Sequence, residues 1–216
     1  MSSTYYQPLN TPSPALGRSS GPAVRIAKAR SGAEEASRSG IWVGIFAITM
    51  TFAAFTSALF VRQGSSADWT HIVLPPILYA NTLAILLSSA TLEMARRAIA
   101  ARPAADSNAI RIGSLWLLAT LALGFVFVAG QFEAWRQLAA QGLYLATNPN
   151  SSFYYVLTAM HGLHLFAGFV ALVFVMGRLS ASHTAFRKST FESTVIYWHF
   201  MGVLWLYLLL VLRTKL

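Results

Sequence analysis

Long apolar runs alternate with short polar connections along most of this chain. After a polar lead, five apolar stretches fall at about residues 40–61, 72–92, 112–132, 153–176 and 194–212. Each approaches the ~20 residues that a helix needs to cross ~30 Å of hydrocarbon. The runs are continuously apolar and about twice the length of a barrel strand, which excludes a transmembrane barrel. The pattern predicts an all-α, polytopic membrane protein built as a five-transmembrane-helix bundle. Pro75 and Pro76 fall in the expected first turn of the second helix, where a missing N–H costs least.

Residues 1–39 read differently. They are rich in Ser, Pro, Gly and Ala and show no sustained apolar period, which predicts a flexible basic tail followed by a membrane domain over 40–216. Within the tail, "AVRIAKARSGAEEASR" carries a weak pattern for a short surface helix. No short apolar core with a small-residue cleavage site precedes the first span, so no cleavable signal peptide is expected.

Composition supports the membrane reading. Hydrophobic residues make up 56% and charged residues 11% of the 216, against about 25% charged in soluble domains. The net charge of +9 lies between apolar spans, where topology and anionic lipid explain it better than nucleic acid does. Twelve of the 16 Lys and Arg residues fall on one side: Arg18, Arg25, Lys28, Arg30 and Arg38 in the tail, Arg96, Arg97, Arg102 and Arg111 after the second span, and Arg178, Arg187 and Lys188 after the fourth. Only Arg62, Arg136, Arg213 and Lys215 fall on the other. This bias predicts a cytoplasmic N-terminus and an outside C-terminus. With no cysteine in the chain, thiolate metal sites and iron–sulfur clusters are excluded.

Few polar groups lie at membrane depth. His161 and His164 share one face of the fourth span in "TAMHGLHLFAGF", and His199 lies in the fifth. Gln131 and Glu133 sit at the end of the third span and Glu192 at the start of the fifth. His71 and His183 fall in connections and read as solvated. Counting ~1.5 Å per residue puts His164 and His199 within roughly one helical turn of each other in height. Haem would need facing histidines at matched depth, and at best one pair is available. No carboxylate stands at metal-ligand spacing from the histidines, which weighs against a metal. The first two spans contain no Asp, Glu, His, Lys or Arg, so no proton relay is evident. Interhelical hydrogen bonding by neutral imidazoles accounts for the pattern more simply. By depth, Trp198 falls near an interface, where aromatic belts form, and Trp205 near mid-membrane, packed against protein or lipid.

The motifs then fall into a known order. "FYYVLTAMHGLHLFAGFVAL" followed by "TFESTVIYWHFMGVLWLYLLLV", with "GFVFVAGQFEAW" and "NTLAILLSSATLEMARRAI" before them, resembles subunit III of the haem–copper terminal oxidases in its five-helix bacterial form. The resemblance covers about residues 40–212. It implies a non-catalytic accessory subunit of a cytochrome c or quinol oxidase, with no catalytic or metal-binding residue and no haem or copper on this chain. It further implies packing on catalytic subunit I and other oxidase subunits, structural phospholipid, support of proton uptake in aerobic electron transport, and a place in the bacterial inner membrane. By motif position His161, His164, Trp198, His199, Trp205, Glu192, Gln131 and Glu133 become candidates for interhelix or lipid contact. The chain departs from the family in having no carboxylate in the first span, Gly202 where Asp is frequent, and "VLW" in place of "VW". These departures leave room for the related subunit of nitric oxide reductases. A haem- or quinone-binding membrane anchor and a small transporter are the readings from other classes.

Overall fold

Five α-helices account for nearly all the chain that the computed structural model describes, which comprises residues 22–65, 73–100, 107–181 and 188–215. They are α1 (Pro22–Ser65), α2 (Ile77–Ala100), α3 (Ser107–Ala140), α4 (Pro149–Ala181) and α5 (Lys188–Lys215). All five carry a stretch long and apolar enough to span a bilayer. The protein is an all-helical, multi-pass membrane protein.

The helices outrun the spans expected from hydrophobicity. The apolar stretch of α4 covers Pro149–Leu179, 31 residues, or about 46 Å of helix against ~30 Å of hydrocarbon. Backbone hydrogen bonding continues through the polar interface, where hydropathy no longer reports it. Helix α1 likewise begins at Pro22 rather than near Gly40, so the weak pattern in the lead is helical. The chain separates into units Met1–Glu35 and Ala36–Leu216. The first is helical from Pro22, residues 1–21 and the connections holding His71 and His183 lie outside the described residues, and the packing below concerns the second.

Local chemistry sets the ends. Pro75 and Pro76 precede α2 instead of forming its first turn. Their carbonyls accept the Leu78 and Tyr79 amides at 3.2 and 3.1 Å, starting the helix. At the end of α3, Gly142 takes a φ of +77°. Its N–H reaches the Ala139 carbonyl at 2.9 Å while the Leu143 N–H reaches Leu138 at 3.1 Å. That pair of bonds is a Schellman stop, which needs a left-handed residue and therefore favours glycine. Helix α4 then starts at Pro149, pre-set in φ, with the Ser151 hydroxyl accepting the Asn148 N–H at 3.2 Å.

Helix α5 is the centre of the bundle. Half of its apolar window is buried inside the protein, against 22% for α1 and 33% for α2, α3 and α4. Its buried residues Trp198, Met201, Trp205, Leu208 and Leu212 recur every three or four positions all along the helix. Helices α2 and α3 pair side by side, and α4 packs on both α3 and α5. Helix α1 lies at the rim and turns a single stripe inward, Ile48, Phe52, Thr56 and Leu59. The outward residues, such as Phe46, Leu83, Phe125, Phe166 and Val203, are apolar and exposed. In a membrane protein such faces suit acyl chains or the apolar surface of a neighbouring subunit.

Glycines allow close approach between helices. A Cβ on Gly130 would lie 1.8 Å from Asn81 Oδ1, so the α2–α3 contact needs a bare α-carbon there. A Cβ on Gly168 would press on Trp198 and Tyr197 at 3.2–3.3 Å, which lets α4 seat against the α5 aromatics.

Candidate functional site

The central helix offers two indoles to its neighbours. Trp198 and Trp205 are both fully buried, at 0% exposure. Trp198 Nε1 donates to Ser88 Oγ of α2 at 3.0 Å, and its ring meets Phe169 edge-on at 5.4 Å. Trp198 is thus an interior residue and not part of an interfacial belt, because a hydroxyl on α2 satisfies the N–H that would otherwise seek water. Seven residues on, Trp205 Nε1 donates to Thr82 Oγ1 at 3.0 Å. Its ring packs on Phe127 at 4.9 Å.

Further aromatic donors repeat this arrangement between other helices. Tyr207 gives its hydroxyl proton to Thr56 Oγ1 of α1 at 3.0 Å. Tyr197 donates to the His164 carbonyl at 2.8 Å. Trp135 Nε1 donates to Thr158 Oγ1 at 3.1 Å, joining α3 to α4. Each of the three accepting threonines passes its own proton to a carbonyl one turn back: Thr56 to Phe52, Thr82 to Leu78 and Thr158 to Tyr154. No donor is stranded in these bonds, as an anhydrous interior demands.

The paired histidines part company. His161 is 1% exposed. Its ring sits between Phe127, at 6.0 Å, and Trp205, at 5.5 Å. Neither ring nitrogen has a hydrogen-bond partner among the described residues. His164 is only partly buried. Its Nδ1 bonds the Met160 carbonyl of its own helix at 2.7 Å, and its ring meets Phe52 of α1 edge-on at 5.9 Å. The Tyr197–His164 bond confirms that these levels of α4 and α5 match in height. Yet no hydrogen bond joins His161 or His164 to His199 or Glu192 among the described residues. The interhelical imidazole bonding expected from the sequence is replaced by ring packing, because Tyr197 takes the position facing His164 on α5.

One charged cluster lies where α2 ends and α5 begins. Glu93 accepts Arg96 Nε at 2.7 Å and Arg97 Nε at 2.9 Å. Arg96 also approaches Glu192 at 3.9 Å. His199 is half-buried on the same helix as Glu192. At the other end of the bundle Glu133 accepts Gln137 Nε2 at 3.2 Å and lies 3.7 Å from Arg136. Gln131, two residues before it, buries both amide atoms without a partner among the described residues. The candidates are therefore dispersed along the bundle, except that Gln131 and His161 line one cavity between α3 and α4. No group of three or more His, Asp or Glu able to hold a metal occurs among the described residues.

Comparison with known proteins decides what such a bundle belongs to. The family model for cytochrome c oxidase subunit III matches residues 38–214. The chain belongs to the cytochrome c oxidase subunit III family. A probable cytochrome c oxidase subunit 3 of Mycobacterium bovis is 30% identical over 132 residues, covering 61% of this chain. The chain spans 62% of the length of that relative. Cytochrome c oxidase subunit 3 of Thermostichus vulcanus is 28% identical over 177 residues, 78% of this chain and 82% of the relative. That of Corynebacterium diphtheriae is 28% identical over 166 residues, 76% of each.

Family membership gives the indole bonds a place. HGLH of α4 meets YWHF of α5 through the Tyr197–His164 bond, while Trp198 and Trp205 tie α5 to α2. Their acceptors Ser88 and Thr82 belong to the "NTLAILLSSATLEMARRAI" motif but are not among the contact candidates that the sequence offers. The signal available was a pair of hydroxyl residues in an apolar span, spaced six apart to follow the seven-residue step between the tryptophans. Glu93, the hub of the charged end, was likewise not singled out. Gly202, where the family often carries Asp, is buried, and a Cβ there would lie 3.3 Å from Ser89 Oγ.

Proposed function

We propose that this chain is a non-catalytic accessory subunit of a respiratory haem–copper oxidase. It packs on the catalytic subunit, holds structural phospholipid and supports sustained turnover and proton uptake in aerobic electron transport. The observation that carries this reading is the family match over residues 38–214, which takes in the ordered motif set, in a bundle whose helices are tied by aromatic-to-hydroxyl bonds. A redox subunit would instead present converging ligands. The charge bias favours an N-terminus in the cytoplasm and a C-terminus outside, in a bacterial inner membrane. Phospholipid belongs in grooves beside the first two spans, with Arg and Lys at their inner edge taking phosphate.

The test is purification of the complex from membranes in mild detergent. Co-migration with a haem–copper catalytic subunit is expected. A complex lacking this chain should keep its haem and copper but lose activity faster during turnover. Failure to co-migrate with any haem–copper subunit would sink the reading.

A further inference from the structure

A cavity of about 370 Å³ opens between α3 and α4. Phe127 forms its buried side, while the exposed Phe132 and Phe166 flank it. His161 and Gln131 both line it. These are the side chains whose ring nitrogens and amide atoms are buried and unpartnered. We propose that this cavity binds a neutral, ring-bearing lipid of the isoprenoid quinone type, whose carbonyl or hydroxyl oxygens are met by Gln131 and His161.

Three properties select this class. A buried polar group without a partner costs roughly 1–3 kcal/mol, and acyl chains supply no partner. The occupant must therefore bring a hydrogen-bonding group. The occupant must be neutral, because no Asp, Glu, Lys or Arg lines the cavity. Finally, aromatic walls favour a flat ring, and the volume lies within the ~300–1,000 Å³ of small-molecule sites.

Gln131 and His161 together suit both forms of such a ring. The amide Nε2 and one imidazole N–H donate to a quinone carbonyl, while Oε1 and the other imidazole nitrogen accept from a quinol hydroxyl. The site needs no redox step on this chain.

Gly162 supplies the test. It lines the cavity, and a Cβ built on it meets nothing within 4 Å. Gly162→Leu should fill the space without disturbing the bundle. The intact chain, with whatever subunits it retains in mild detergent, is labelled with a photoreactive azidoquinone and mapped by mass spectrometry. Endogenous lipids are extracted from the same preparation. Labelling on the α4 segment around His161, an extracted quinone, and loss of both in Gly162→Leu are expected. Gln131→Leu, which keeps the volume but removes the amide, should weaken labelling about tenfold. Labelling that Gly162→Leu leaves unchanged would overturn the proposal. So would extraction of phospholipid alone, or a cross-link from G162C to another subunit, showing that a partner helix fills the space. These outcomes do not depend on which complex the chain joins.

Discussion

Trp205 of α5 and Thr82 of α2 share a hydrogen bond of 3.0 Å between positions 123 residues apart in the chain. Trp198 and Ser88 repeat it at 3.0 Å, 110 residues apart. The two helices run antiparallel, so the later tryptophan meets the earlier hydroxyl. Together the bonds fix both the height and the rotation of α5 against α2.

The first prediction follows from that lock. Trp205→Phe removes the donor but keeps most of the ring, and Thr82→Val removes the acceptor. Interhelical bonds in membrane proteins average ~0.6 kcal/mol and reach ~2 kcal/mol. The coupling between the two substitutions should fall in that range when unfolding is measured in detergent. Zero coupling would mean the bond contributes nothing beyond packing.

A second prediction contrasts two glycines. Gly130→Ala puts a methyl 1.8 Å from Asn81 Oδ1, and overpacking of this kind costs about 1–3 kcal/mol. Asn81→Ala should recover most of that loss. Gly162→Ala meets nothing within 4 Å and should be neutral, or stabilising by up to about 1 kcal/mol. Melting temperatures of the three variants would reverse this order if the α2–α3 contact were not the tight one.

His161 yields a third. With neither nitrogen bonded, an apolar residue of similar volume removes a desolvation cost and keeps the contacts with Phe127 and Trp205. His161→Leu should raise the stability of the delipidated protein by about 1 kcal/mol. A marked loss of stability in that variant would show that the imidazole has a polar partner.

The fourth concerns the charged end. Glu93→Gln releases Arg97 and leaves Arg96 with Glu192 alone at 3.9 Å. These groups are partly exposed, so the loss should be about 0.5–1 kcal/mol and should shrink in high salt. Chemical unfolding at two ionic strengths reads this directly. An unchanged loss at high salt would rule out a screened surface cluster.

How much of this was legible beforehand depends on the physical range of each signal. Continuous apolarity reports the bilayer, and it located all five helices. It could not report their ends, because outside the hydrocarbon the Schellman stop at Gly142 and the Asn148–Pro149 start govern. HGLH marked a special face of α4. It did not say that one imidazole would pack between aromatics and the other bond its own helix. That choice depends on Tyr197, Phe127 and Phe52, which look like ordinary lining residues until their helices meet. Thr82 and Ser88 were readable as polar residues in an apolar span, but their roles are defined only by the indoles opposite.

The central position of α5 also bears on the order of events at the ribosome. Chains emerge from their N-terminus at about 5–20 residues per second, so the helix that the other four spans lean on is inserted after them. The paired helices α2 and α3 can associate while the rest is still being made. Helices α1 and α4 wait for Tyr207, Tyr197 and Trp205 before their inward faces are covered. A chain stalled or cut before residue 188 therefore holds α1 to α4 with the faces that meet α5 left open.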